Sequence, residues 1–200
     1  MTENHVRTVH LVASVLLGYP DARLFEAVPL LRKAVATVPS TPLTGFLDHL
    51  ARVRPQELAE HYVAVFDFKR RCCPYLTYYA YGDTRKRGMA LLRFKQAFRE
   101  AGFEPADGEL PDHLAVVCEL SARGGTEQAV RLLREHRAGL EVLAQGLAAE
   151  GSPYARVVDA VIATLPPPTA RDLRAARGLA ADGPPAEAVG LEPYPIGERP

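Results

Sequence analysis

The stretch from Thr126 to Leu147, TEQAVRLLREHRAGLEVLAQGL, decides the fold class of this 200-residue chain. Its buried-type residues recur every three or four positions: Ala129, Leu132, Leu133, His136, Leu140, Leu143 and Leu147. That spacing places them on one face of an α-helix, and Thr126 is a suitable N-cap. We therefore predict one amphipathic helix that buries this face.

The same period continues outward from this stretch, from residue 4 to residue 165. Prolines and glycines divide it into about eight helices with short connections, and Pro29 is expected to kink or restart one of them. No set of alternating strands separated by hairpin turns accompanies them. We predict an all-α fold, a single compact helical bundle over residues 1–165.

Composition narrows the class of protein further. With 48% hydrophobic residues and a formal net charge of zero, the chain can bury a core, and bulk nucleic-acid binding is disfavoured. The first residues are charged and no apolar run approaches the ~18 residues of a membrane helix, so we expect a cytoplasmic protein without direct membrane insertion. The cysteines, Cys72, Cys73 and Cys118, are odd in number, which fits a reducing compartment.

The last 35 residues, 166–200, differ in composition from the rest. They contain eight of the 17 prolines and show no sustained apolar period. We predict a flexible tail here. Its short apolar element, residues 190–196, is expected to be an unstructured terminus, the alternative being a segment that orders over a binding groove.

Charge is concentrated in residues 69–99, which we call the basic segment. It holds nine basic residues and one acidic residue, Asp83, for a charge of +8. Four of the eight tyrosines lie within residues 75–81, between two basic triplets. Tyrosine and arginine are enriched at binding interfaces, so this segment is a candidate interaction surface. The alternative is that the tyrosines pack in the core while the bases face solvent.

No catalytic or metal site follows from the sequence, so we predict that the chain is not an enzyme. The adjacent Cys72 and Cys73 lack a second ligand pair for zinc. Asp112 and His113 lack a third group that would make them catalytic, and we interpret them as a cap and an inter-helix hydrogen bond. An alternative from another class remains, a small helical redox or thiol protein that uses Cys72 beside Arg70 and Arg71.

Several runs together resemble the delta-subunit (NarJ) family of respiratory nitrate reductase, within the TorD-like chaperones. The matching residues are Arg71-Cys72-Cys73-Pro74-Tyr75-Leu76-Thr77-Tyr78-Tyr79, Gly82-Asp83-Thr84-Arg85-Lys86-Arg87-Gly88-Met89-Ala90-Leu91, Arg93-Phe94-Lys95-Gln96, Gly102-Phe103 and Glu109-Leu110-Pro111-Asp112-His113-Leu114. With its helical flanks, the resemblance covers about residues 5–165. The motif positions are Gly82, Asp83, Thr84, Lys86, Glu109, Pro111, Asp112 and His113.

The resemblance implies an all-helical, TorD-like chaperone. Its partner would be the apo catalytic (alpha) subunit of nitrate reductase, bound through the N-terminal segment. The chaperone would hold this client until the molybdenum bis-pyranopterin guanine dinucleotide cofactor is inserted, and would delay membrane attachment until then. It would bind no cofactor tightly, with transient contact to the molybdenum cofactor and contact to its biosynthesis proteins as further expectations.

We expect the client segment to bind as an amphipathic helix in a groove. Its apolar face would contact aromatic side chains, namely Tyr62, Phe66, Tyr75, Tyr78 and Tyr79. Its acidic residues or the carbonyl groups at its C-terminal end would pair with Arg70, Arg71, Arg85 and Arg87.

Overall fold

A computed structural model describes residues 2–105 and 108–185 of the chain. Eleven α-helices lie within these residues: α1 Glu3–Leu16, α2 Ala22–Thr37, α3 Thr41–Leu50, α4 Pro55–Phe66, α5 Leu76–Tyr81, α6 Lys86–Glu100, α7 Leu114–Ala122, α8 Thr126–Glu135, α9 Arg137–Ala149, α10 Tyr154–Ala163 and α11 Ala170–Asp182. A short 3₁₀ helix, Arg70–Cys72, lies between α4 and α5. The predicted all-α fold is confirmed.

The centre of the bundle is built from α1, α7, α9 and α10. Helix α1 packs against α7 and α10, and α9 packs against α10 on one side and against α5 and the 3₁₀ helix on another. One continuous hydrophobic core joins these elements, with Leu16, Leu114, Leu140 and Tyr154 fully buried. Burial of such side chains contributes roughly 1.5–3 kcal/mol each, so packing rather than local propensity holds the short helices in place.

The predicted helix over 126–147 is two helices, which join at His136. The backbone leaves helical geometry at this residue (φ −103°, ψ 17°). Helix α8 packs against α6 and α7, whereas α9 packs against α10 and α5, so the chain must change direction between them. Both helices still bury the predicted apolar residues, which is why the sequence spacing hides the break. Pro29, in contrast, lies inside a single continuous helix, α2.

The predicted flexible tail does not hold for its first part. Residues 170–182 form α11, which packs against α9. A capping box between Thr169 and Asp172 begins this helix, because each side chain accepts a hydrogen bond from the other residue's backbone N–H. The prolines that suggested a tail lie on either side of an alanine-, leucine- and arginine-rich stretch with high helix propensity. The 190–196 element lies outside the described residues.

Within residues 2–105 and 108–185, no helix is both long enough and apolar enough to span a membrane.

Candidate functional site

The two motif regions, residues 71–88 and 109–114, meet in space at the ends of α5 and α7. Tyr75 and His113 form an isolated antiparallel bridge. The backbone N–H of Leu76 donates to the Asp112 carbonyl oxygen (3.0 Å), and that of Leu114 donates to the Pro74 carbonyl oxygen (2.9 Å). These bonds fix the N-termini of α5 and α7 side by side.

Asp112 lies at the centre of this junction and is fully buried. Its Oδ2 accepts hydrogen bonds from the backbone N–H (3.1 Å) and the hydroxyl (2.5 Å) of Thr77 in the first turn of α5. Asp112 therefore caps a helix that lies 35 residues earlier in the chain, and its negative charge complements the dipole of that helix. The predicted inter-helix hydrogen bond is confirmed, with Thr77 as the partner that the sequence did not reveal.

Arg87 completes the buried network from α6. Its Nε donates to Thr77 Oγ1 (3.1 Å), and its Nη2 lies 3.8 Å from Asp112 Oδ2. Its Nη1 lies 3.5 Å from the exposed carboxylate of Asp83. The side chain is only 19% exposed, so Arg87 joins α6 to the junction. The prediction that Arg87 faces a partner is therefore wrong.

Tyr75 covers the junction. Its ring lies 5.1 Å from that of His113 in an edge contact, and the Arg87 guanidinium lies 5.5 Å from the ring centroid. The hydroxyl donates to Glu109 Oε1 (2.9 Å). Burial and this bond to a carboxylate raise the pKa of Tyr75 well above its ordinary value.

His113, and not Asp112, caps α7. Its Nδ1 accepts a hydrogen bond from the backbone N–H of Ala115 (3.2 Å), and α7 begins at Leu114, so that Pro111 and Asp112 both precede the helix. Burial lowers the pKa of His113, while the nearby Glu109 and Asp112 oppose the shift. A neutral imidazole suits this role, since the capping nitrogen must accept.

The predicted aromatic groove is not a surface in the structure. Phe66, Tyr78 and Tyr79 are buried, and the Tyr79 hydroxyl donates to the carbonyl oxygens of Arg71 (3.1 Å) and Cys73 (2.9 Å). These rings are buried because each supplies a large apolar area, and backbone carbonyl groups accept the hydrogen bonds of the Tyr79 hydroxyl.

Tyr62 and Phe66 are also separated from the tyrosines of α5. Both pack against the buried ring of Tyr154, at 5.7 and 5.1 Å between centroids, and the Tyr62 hydroxyl donates to the Leu17 carbonyl oxygen. The structure thus divides the five predicted aromatic contacts between two clusters, one under α4 and one around α5.

Most of the predicted basic contacts do face solvent. Arg70, Arg71 and Arg85 are exposed, and so is Lys86, a motif residue. On the outer face of α6, Met89 and Leu92 are 68% and 54% exposed, with Lys86 and Arg93 beside them at helical spacing. The outer face of α6 is therefore apolar and basic together.

The motif residues Gly82, Asp83 and Thr84 form the turn between α5 and α6. Gly82 ends α5 with φ +56°, and its N–H donates to the Tyr78 carbonyl oxygen (2.7 Å). The Thr84 hydroxyl donates to the Tyr81 carbonyl oxygen (2.7 Å). Helix α6 begins at Lys86, and neither Asp83 nor Thr84 caps it with its side chain.

The cysteines are poorly placed for thiolate chemistry. Cys72 and Cys118 are buried, and burial is the main cause that raises the pKa of Cys72 and of Cys73 to about 11. Arg70 and Arg71 do not offset this burial. The structure therefore gives no support to a redox role for Cys72. In the described part of the chain, no group of three or more His, Cys, Asp or Glu side chains could hold a metal ion.

The helical fold is shared with a solved structure. A crystal structure described as a redox enzyme maturation protein from Archaeoglobus fulgidus superimposes with a TM-score of 0.58, over 82% of this chain and 93% of that one, at 21% sequence identity. That similarity establishes the helical architecture.

The chain belongs to the nitrate reductase delta subunit family, whose sequence profile matches residues 32–159. The molybdenum cofactor assembly chaperone NarJ of Bacillus subtilis is 31% identical over 156 residues, 76% of this chain and 85% of that protein. NarJ of Escherichia coli K12 is 28% identical, over 76% of this chain and 67% of its own length. The family prediction is confirmed, and the chaperone names of these relatives agree with a chain that is not an enzyme.

A third relative is much longer than this chain. The nitrate reductase-like protein NarX of Mycobacterium tuberculosis is 41% identical over 154 residues, which cover 76% of this chain and 23% of NarX. The chain thus corresponds to about a quarter of that relative.

Proposed function

We propose that this protein is an assembly chaperone for nitrate reductase that binds the N-terminal segment of the apo catalytic subunit. It would hold the subunit until the molybdenum cofactor is inserted and would delay membrane attachment until then. Its relatives from Bacillus subtilis and Escherichia coli are named as nitrate reductase molybdenum cofactor assembly chaperones, which supports the general role.

The observation that carries the proposal is the exposed side of the basic segment. Apolar Met89 and Leu92 are exposed beside Lys86 and Arg93 on α6, and Arg70 and Arg71 are exposed on the 3₁₀ helix. Exposed apolar residues with adjacent positive charge fit an amphipathic segment that carries acidic residues. The buried network around Asp112 supports this surface, because Arg87 ties α6 to the start of α5.

Calorimetry with a synthetic peptide tests the proposal directly. The peptide would span the first ~15 residues of the catalytic subunit from the same organism, long enough to form a marginal helix. We expect binding with micromolar or tighter Kd. We expect the variant Met89→Ser with Arg70→Glu to weaken binding at least tenfold, because it removes an apolar contact and reverses a charge.

A matched variant controls for charge alone. Lys33→Glu reverses an exposed charge on α2, outside the basic segment, and should leave the Kd within twofold. Equal loss of binding in both variants would show a general charge effect. Absence of binding by the unmodified chain, with a soluble and intact peptide, would contradict N-terminal recognition.

Transient contact with the molybdenum cofactor stays a prediction. Arg85 and Lys86 stand exposed at the N-terminus of α6, where a helix dipole also favours anions such as phosphates. The double variant Arg85→Glu and Lys86→Glu should slow cofactor insertion into the apo subunit while peptide affinity is retained. An unchanged insertion rate would argue against contact.

A further inference from the structure

The C-terminal arm, residues 166–185, packs on α9 and ends at the basic segment. Arg137, buried at the start of α9, donates from Nη1 to the Pro166 carbonyl oxygen (2.5 Å) and pairs with Glu141 (3.2 Å). Helix α11 then packs along α9. The arm is therefore held at its start by a buried side chain.

The far end of the arm reaches the basic segment. Arg71 Nη2 donates to the carbonyl oxygen of Ala180 in the last turn of α11 (3.4 Å). The backbone of Pro185 lies so close to Gly82 that a Cβ at Gly82 would stand 1.7 Å from the Pro185 carbonyl oxygen. Two residues singled out for binding or motif roles thus contact the chain's own C-terminal arm.

Helix α11 has the features expected of a client segment. It is amphipathic, with Ala176, Leu179 and Ala180 turned toward the bundle, and an arginine of the basic segment lies at its carbonyl end. The carbonyl end of a helix carries partial negative charge, which an arginine stabilises. The same pairing is expected for the carbonyl end of the client helix.

Helix α11 is also held weakly. Ala176 is its only buried residue, Leu173 is 43% exposed, and Gly178 lies in its interior. Alanine buries little apolar area, and an interior glycine disfavours the helix. Local opening of such an element requires much less free energy than unfolding of the core.

We infer that the face of α9 that α11 covers, which ends at Arg71, is a second part of the client site. An amphipathic client helix with a larger apolar face replaces α11 there, its carbonyl end at Arg71, whereas Met89 and Leu92 of α6 are exposed with the arm in place. The inference rests on the proposed function. Because the arm must leave before the client binds, the apparent Kd equals the intrinsic Kd divided by the fraction of molecules with an open arm. The arm thereby selects for clients that bind more strongly than α11 does.

Two substitutions within α11 of the full chain shift this fraction in opposite directions. Ala176→Glu places a charge beneath the helix and should release the arm, so the Kd for the N-terminal peptide should fall at least threefold. Gly178→Ala points into open space, and its higher helix propensity should strengthen the closed arm and raise the Kd about fourfold. Ala36→Glu, on an exposed position of α2, is the matched control and should leave the Kd unchanged.

Hydrogen exchange gives a second readout. Saturating peptide should accelerate exchange of the α11 amides in the unmodified chain. If Ala176→Glu unfolds the bundle, Asp172→Ala opens the arm instead by removing the exposed capping box. Peptide binding with the same Kd in all variants, or α11 amides that stay protected in the complex, would overturn the inference alone. No binding by any variant would overturn the proposed function and the inference with it.

Discussion

The two carboxylate oxygens of Asp112 have very different surroundings. Oδ2 faces the N–H and hydroxyl of Thr77 and the guanidinium of Arg87, whereas Oδ1 has no hydrogen-bond partner among the described residues. A buried charge is tolerated only where its partners offset the loss of hydration. At the scale of single residues, the side-chain contacts that join α5, α6 and α7 therefore converge on one oxygen atom.

Substitutions at Asp112 should reveal this dependence. Asp112→Ala leaves the Thr77 donors and Arg87 without their acceptor, and we expect a loss of about 2–4 kcal/mol in the free energy of unfolding. Asp112→Asn keeps an acceptor but loses the charge, so its effect should be smaller, about 1–2 kcal/mol. Urea unfolding provides the measurement.

Asp83→Asn serves as the control for these variants. It removes the exposed partner of the same arginine and should change the free energy of unfolding by less than about 0.5 kcal/mol. If Asp112→Ala were no more destabilising than Asp83→Asn, the network would have no structural role.

The reactivity of the Cys72 thiol is a second property that depends on the surroundings of a single residue. Because burial raises the pKa of Cys72 to about 11, almost no thiolate exists at pH 7.5. We expect iodoacetamide to modify native Cys72 at least tenfold more slowly than a free cysteine, whose pKa is about 8.5, and the rate to rise as the pH approaches 11. Peptide mapping after timed labelling measures this. Rapid labelling of Cys72 at neutral pH would restore the redox alternative.

At the scale of elements, neighbouring segments approach the backbone of α9 very closely. An ideal Cβ at Gly146 would lie 2.6 Å from the Arg71 carbonyl oxygen, and one at Gly139 would lie 2.8 Å from the Tyr79 side chain. The two glycines thus let the 3₁₀ helix and α5 approach the backbone of α9. They place Arg71 where it contacts α11.

Alanine at Gly146 should therefore destabilise the protein, although alanine favours helices. The backbone of Arg71 would have to move, at a cost of about 1–3 kcal/mol, which exceeds the gain in propensity of about 0.5–1 kcal/mol. Gly88→Ala, in α6, meets nothing within 4 Å and should stabilise instead. Thermal melting of both variants gives the comparison, and a stabilising Gly146→Ala would refute the close approach.

The elements also show what the sequence could and could not predict. Periodicity revealed most helices, because each buries one stripe on a common core. It could not reveal the break at His136, since α8 and α9 keep the stripe in phase, nor α11, whose small apolar face of alanines resembles a polar linker. The pairing of Thr77 with Asp112 was hidden for another reason: 35 residues separate donor and acceptor, and the backbone bridge between Tyr75 and His113 brings them together.

Over the whole molecule, stability should depend on pH through buried histidines. Burial lowers the pKa of His10 to about 4 and is the main cause that lowers that of His136 to about 4, against about 6.5 when unfolded. The unfolded chain therefore binds more protons between pH 4 and 6.5. The stabilisation that comes from keeping these histidines neutral is fully present above pH 6.5 and is lost as the pH falls through this range.

The variant His10→Gln isolates one of these protons. Glutamine can still bond the Thr164 hydroxyl, which lies 2.9 Å from His10 Nε2, but it does not titrate. We expect the slope of unfolding free energy against pH, between pH 4 and 6.5, to fall by up to about 1.4 kcal/mol per pH unit. Leu11→Gln, at an exposed neighbouring position, should leave the slope unchanged. The same slope in both variants would mean that His10 is not buried neutral.

The cap that Asp112 provides for α5 bears on how the chain is made. Helix α5 has only six residues, too few to persist alone in water, and its capping carboxylate follows Thr77 by 35 positions. At 5–20 residues per second, a ribosome adds those residues in roughly 2–7 s. During that interval the core that buries the tyrosines of α5 is incomplete. These side chains are therefore exposed in the nascent chain and become buried only when the protein folds.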